Sequence, residues 1–153
     1  MAYSIRTTKL DPQPMLAVRA TTVPAELGDV LRQLMSEVWE DAAARGVEVV
    51  GPPFARYYDF HDDHVDLEVG FPVGSAQPPG GRVEGGELPG GKAAETMHRG
   101  PYDDVGAAHD AIGDWVLKNQ RDPRGAPWES YLTDPAREPD PSKWQTRVTW
   151  PLR

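Results

Sequence analysis

The order strand, helix, hairpin occurs twice in this chain, and that repetition restricts the fold more than any single motif. In the first half, residues 15–20 are a compact apolar run suited to a strand. Pro24 then opens a helical pattern in which Leu27, Val30, Leu31, Leu34, Val38 and Ala42 recur at three- and four-residue steps, ending at Arg45 and Gly46. Residues 54–60 and 65–73 read as a hairpin around the polar turn His61-Asp62-Asp63-His64. In the second half, residues 92–99 are a strand, and Val105, Ala108, Ile112, Trp115 and Val116 form a helical stripe. The runs Pro127 to Pro135 and Thr146 to Leu152 supply the closing strands. Two local echoes support the repeat: Trp39 answers Trp115, and Phe71-Pro72-Val73 answers Trp150-Pro151-Leu152. The expectation is one α+β domain over residues 1–153, with halves at about 4–73 and 82–152 joined into one antiparallel sheet with two main helices. Residues 4–10 and 82–88 are expected as edge strands, the latter inside the Gly/Pro-rich stretch 74–91.

Composition narrows the function classes. The formal charge of -8 argues against a nucleic-acid surface, which needs clustered Lys and Arg. With no cysteine there is no disulfide framework, thiolate metal site or cysteine nucleophile. No apolar run reaches membrane-spanning length, and Met1-Ala2-Tyr3-Ser4 lacks the build of a signal peptide, so a cytoplasmic protein without membrane contact is expected. The glycines of 74–91 lack the lysine and strand–helix context of a phosphate loop. The turn at 61–64 reads as a turn rather than a metal site, and no metal or cofactor is expected.

The repeat is broken at one chemically telling place. Phe54-Ala55-Arg56-Tyr57 answers Trp128-Glu129-Ser130-Tyr131, so an acid stands in one half where the other has alanine. On a strand Glu129 and Tyr131 share a face, opposite Trp128, Ser130 and Leu132. A buried carboxylate needs a hydrogen-bonding or cationic partner. With aromatic neighbours it makes a receptor for a planar cation, through cation–π and Coulomb attraction together. The alternative is a solvent-facing Glu129 paired with Arg147 or Arg56.

The segments Asp66 to Val73, Leu88-Pro89-Gly90-Gly91, His98-Arg99-Gly100-Pro101-Tyr102, Trp128 to Pro135 and Thr146 to Leu152 resemble, in order, the gyrase-inhibitor-like family. That family includes the effector modules of multidrug-responsive transcription regulators, and the resemblance covers the chain from about Met15 onward. It implies two strand-helix-strand-strand repeats with a groove between helices and sheet, in which a glutamate at the position of Glu129 receives lipophilic cations. Some relatives are hydrolases of cyclopropane-bearing DNA-alkylating toxins. The chain before Met15 is too short for a helix-turn-helix, so a regulator acting on DNA is not expected.

The candidate ligand-binding residues are Glu129, Tyr131, Tyr57, Trp39, Trp115, Glu68, Phe71 and Trp150. Tyr57 and Tyr131 bring flat apolar area with a polar tip, and Trp39 stands beside Val38, as a groove wall would. Glu68 alternates with Leu67 and Val69 and reads as solvated; facing a groove, it would be a second carboxylate. His98 reads as structural. The leading expectation is a free-standing receptor for aromatic, cationic small molecules, monomeric or homodimeric, with no cofactor. An enzyme opening cyclopropanes with water, Glu129 and Tyr131 being catalytic, needs the same acid among aromatics and stays open beside it. So does an acidic inhibitor of a protein partner.

Overall fold

A computed structural model describes residues 3–153; Met1 and Ala2, the start of the segment read above for a targeting signal, lie outside the described residues. The chain is α+β, with eight strands and two α-helices among the described residues, and every named strand pairing is antiparallel. It divides into two compact units, Pro12–Pro89 and Met1–Asp11 with Gly90–Arg153.

The unit Pro12–Pro89 contains β2 (Gln13–Thr22), α1 (Leu27–Arg45), β3 (Phe54–Phe60), β4 (Val65–Pro72) and β5 (Glu84–Leu88), while β1 (Arg6–Leu10) precedes it in the chain. Its strands pair β5 to β2, β2 to β4 and β4 to β3. The alternation in β4 buries Val65, Leu67, Val69 and Phe71, against which α1 lays Leu34, Val38 and Ala42. Gly46 caps α1 at φ 68°, in the left-handed region glycine enters freely. Gly70 is required by proximity: a Cβ there would lie 2.0 Å from the Leu16 carbonyl oxygen across the β2–β4 ladder.

The other unit contains β1, β6 (Gly91–Arg99), α2 (Gly106–Lys118), β7 (Trp128–Tyr131) and β8 (Gln145–Pro151). Its strands pair β1 to β6, β6 to β8 and β8 to β7. Ala108, Ile112 and Val116 of α2 form its core with Ala94, Val148 and Leu152.

Each unit is therefore a strand-helix-strand-strand repeat plus one edge strand, as the periodicity predicts. The edge strands are traded relative to the expected halves 4–73 and 82–152: β1 joins the C-terminal repeat and β5 the N-terminal one. Alternation identifies a strand but not its partner. Here the buried Glu95 of β6, opposite Arg6 in register and 2.7 Å from its Nε, helps to select β1. The run expected from Pro127 to Pro135 is a strand only as far as Tyr131, because Asp134 and Pro135 turn the chain and the Asp134 carboxylate accepts the Ala136 N–H.

Candidate functional site

Strand β7 delivers its acid into the interior. Glu129 is 5% exposed and stands opposite Val148 of β8. Its repeat counterpart, Ala55, is fully buried and stands opposite Val69 of β4. A carboxylate thus occupies a core position, and the alternative of a solvent-facing glutamate paired with Arg147 or Arg56 is not what the geometry gives.

Two neutral groups hold it. The Tyr131 hydroxyl donates to Glu129 Oε1 at 2.7 Å, and His109 Nε2 lies 2.8 Å from Oε2. The indole N–H of Trp150 reaches His109 Nδ1 at 3.0 Å. An indole nitrogen can only donate, so Nδ1 accepts, and the imidazole is the neutral tautomer with its proton on Nε2, directed at Glu129. Among the described residues, the run Trp150 to His109 to Glu129, met from the other side by Tyr131, surrounds the buried carboxylate with N–H and O–H dipoles. The Tyr131 ring lies 5.1 Å from that of Tyr102, which lies 4.8 Å from that of Trp144. Burial, with Asp134 adding to it, pushes the Tyr102 phenol up, so that group stays neutral.

The helices break the repeat at the same place. Leu34, Val38 and Ala42 of α1 answer Ala108, Ile112 and Val116 of α2, which aligns Trp39 with Gly113. The expected correspondence of Trp39 with Trp115 is thereby corrected. It rested on residue type, whereas the buried positions set the register. In the unit Pro12–Pro89, Trp39 packs on Phe71 with ring centroids 5.5 Å apart. In the other unit, the Phe71 counterpart, Trp150, faces a glycine, and a Cβ at Gly113 would lie 3.5 Å from its indole. The space so left belongs to an open depression of about 530 Å³ lined by His109, Asp110, Gly113, Asp114, Leu117 and Trp150. Two exposed carboxylates stand at its edge, and His109 connects it to Glu129.

Glu129, Tyr131 and Trp150 are thus brought into one network. Trp115 instead packs on the apolar core of its unit, with the Arg121 guanidinium 5.8 Å from its ring. Trp39, Tyr57, Glu68 and Phe71 belong to Pro12–Pro89 and make contacts of their own there. Trp39 is 55% exposed, and the Tyr57 ring lies 5.9 Å from that of Phe60. Glu68, expected to be solvated, is half-buried, opposite Arg19 on one side and Arg56 on the other, and accepts from the Tyr58 hydroxyl at 3.2 Å. Burial pushes its carboxyl up, against the pull of Tyr58 and the two arginines. His98 bridges the Tyr3 hydroxyl and the Pro101 carbonyl.

Sequence reasoning missed His109, Gly113, Tyr102 and Trp144. The first had a signal: four residues after Val105 and three before Ile112, it falls beside the apolar stripe of α2.

Comparison with known proteins agrees with this architecture. The profile of the GyrI-like small molecule binding domain matches residues 1–153. Among solved structures, the C-terminal domain of EcmrR superposes with a TM-score of 0.90 at 20% identity, over 100% of this chain and 99% of that one. A hydrolase from Listeria innocua gives 0.67 at 15% identity, over 99% of this chain and 93% of that one. SAV2435 bound to tetraphenylphosphonium gives 0.62 at 10% identity, over 100% and 94%. At such identities the likeness is one of fold. Among curated proteins, none matches the sequence significantly.

Proposed function

The chain belongs to the GyrI-like small-molecule-binding domain family, and from that premise we propose that it takes up lipophilic aromatic cations at Glu129. One observation carries the reading: Glu129 is buried at a position where the repeat has alanine, and its hydrogen-bond partners are neutral. Burying a carboxylate costs several kcal/mol unless a counter-charge arrives, on the order of what an ion loses on leaving water. An incoming cation supplies that charge. The glycine-opened depression over Trp150 supplies an aromatic face, and Asp110 and Asp114 favour positive charge at the approach. A hydrogen-bonding head group is not needed, because both carboxylate oxygens already have donors. That suits a delocalised or quaternary cation.

The reading is tested by titrating the protein with tetraphenylphosphonium while following tryptophan fluorescence, then recovering the ligand for mass spectrometry. Saturable quenching with unchanged ligand mass is expected. Absence of saturation with every aromatic cation tried would overturn it.

A second reading is favoured by the Tyr131–Glu129 contact of 2.7 Å. The same pair can add water to a strained cyclopropane conjugated to a carbonyl. Glu129 takes a proton from water as its oxygen bonds to the ring carbon. The ring C–C pair then moves toward the carbonyl, whose oxygen accepts the Tyr131 proton, and Glu129 returns the proton it took to the Tyr131 oxygen across their contact, leaving an alcohol and an enol. Recovery of a cyclopropane-bearing compound with one water added, faster than without protein, selects this reading over binding alone.

A further inference from the structure

The β3–β4 hairpin gathers three metal-ligating side chains that the spacing of 61–64 alone does not show. Asp59 is the penultimate residue of β3, just after an irregularity that leaves Tyr58 without a register partner in the ladder. The turn is closed by the His61 N–H on the His64 carbonyl at 2.8 Å. Asp59 Oδ1 lies 2.7 Å from His61 Nε2, and Asp59 Oδ2 lies 3.5 Å from His64 Nε2. The two imidazoles are 4.7 Å apart between centroids. One ligand atom from each of Asp59, His61 and His64 lies within 4.8 Å of the others.

The outer contacts suit a metal as well. Asp63 Oδ1 sits 2.9 Å from His64 Nδ1, where a carboxylate holds the imidazole proton and leaves the Nε2 lone pair for coordination. His64 Nε2 is then the nitrogen that faces the Asp59 carboxylate, placed to donate to it when it carries a proton and to share a cation with it when it does not. The nearby Asp66 is not available, because Arg19 holds both of its oxygens at 2.9 Å. The donor set is two imidazoles and one carboxylate, borderline in softness and suited to Zn²⁺.

We propose that this hairpin binds one Zn²⁺ through Asp59, His61 Nε2 and His64 Nε2, with water completing a tetrahedron. Ligand atoms around tetrahedral zinc stand about 3.4 Å apart. The three side chains are 43–55% exposed at a turn, so they are free to contract the ångström or so this requires. Asp62 and Asp63 add negative charge around the ion.

The test is a competition between the untagged whole chain and a chromophoric zinc chelator. One Zn²⁺ per chain is expected. The affinity should fall tenfold or more in the H61Q/H64Q double variant and in D59N, and about tenfold in D63N, which loses only the outer contact. Circular dichroism of each variant checks that these exposed substitutions leave the fold intact. Zn²⁺ should raise the melting temperature of the parent chain and leave that of the double variant unmoved. Failure to bind one equivalent would overturn the assignment. So would undiminished binding in the double variant, which would put the ion elsewhere on the chain. Titration with tetraphenylphosphonium is expected to be unaffected by any of the three variants.

Discussion

Replacing Glu129 by glutamine separates charge from shape. The new amide can turn its oxygen to the His109 Nε2–H and its NH₂ to the Tyr131 hydroxyl, which is able to accept, so the neighbours keep their partners. What is lost is one negative charge. A cation in the depression stands on the far side of His109 from that charge, on the order of 8 Å away, and gains about 2 kcal/mol of Coulomb energy at the effective permittivity of a protein surface. That is roughly thirtyfold in Kd. A neutral aromatic of similar size, such as triphenylphosphine oxide, should change by no more than about twofold. Stability should move little. The hydrogen bonds weaken from about 2 kcal/mol to about 1 kcal/mol each, while the penalty of a buried charge disappears. Fluorescence titration with tetraphenylphosphonium and with the neutral compound reads the first effect, and urea unfolding the second. Equal losses for both ligands would refute the electrostatic reasoning. A destabilisation above about 3 kcal/mol would instead mark Glu129 as a structural anchor.

Three further outcomes are expected. Y131F removes the buried O–H donor at 2.7 Å and should cost about 2 kcal/mol in urea unfolding; a double-mutant cycle with E129Q that shows no coupling would disprove the link. Because burial raises the Glu68 carboxyl, the folded state holds that proton more tightly than the unfolded one. Its contribution is therefore full in acid and lost as pH rises through the folded value, so E68Q should be more stable than the parent at neutral pH. The difference should close below the usual carboxylate range, and urea midpoints across pH measure it. G70A should cost about 3 kcal/mol or more, since its Cβ meets backbone of β2 at 2.0 Å, whereas G46A meets nothing within 4 Å and should cost about 1 kcal/mol for its positive φ. Melting temperatures in the reverse order would contradict both arguments.

The repeat was legible because strands and helices write their periods into sequence: β3 coincides with the expected 54–60, and α1 ends at the expected Gly46. The burial of Glu129 was legible for a related reason, because it stands where the other half has Ala55. The pairing of β1 with β6 was not, since alternation is the same whichever neighbour a strand finds. His109 escaped because a single histidine beside an apolar stripe gains its meaning from Trp150 and Glu129, twenty and more residues away. Trp39 and Trp115 misled for the opposite reason: a conspicuous residue type is not a register.

The exchange of edge strands also orders events during synthesis. Residues 12–89 hold all four strands of the ladder β5-β2-β4-β3, so that ladder is complete in the chain well before β8 is made. The other unit draws β1 from the beginning of the chain and β8 from residues 145–151, and β6 pairs with both. A ribosome that has delivered the first unit therefore leaves β1 waiting, its backbone N–H and C=O groups unpaired, through some eighty residues of elongation, on the order of several seconds at ordinary rates. The glutamate site, built wholly from the late unit, is the last part of the molecule to exist.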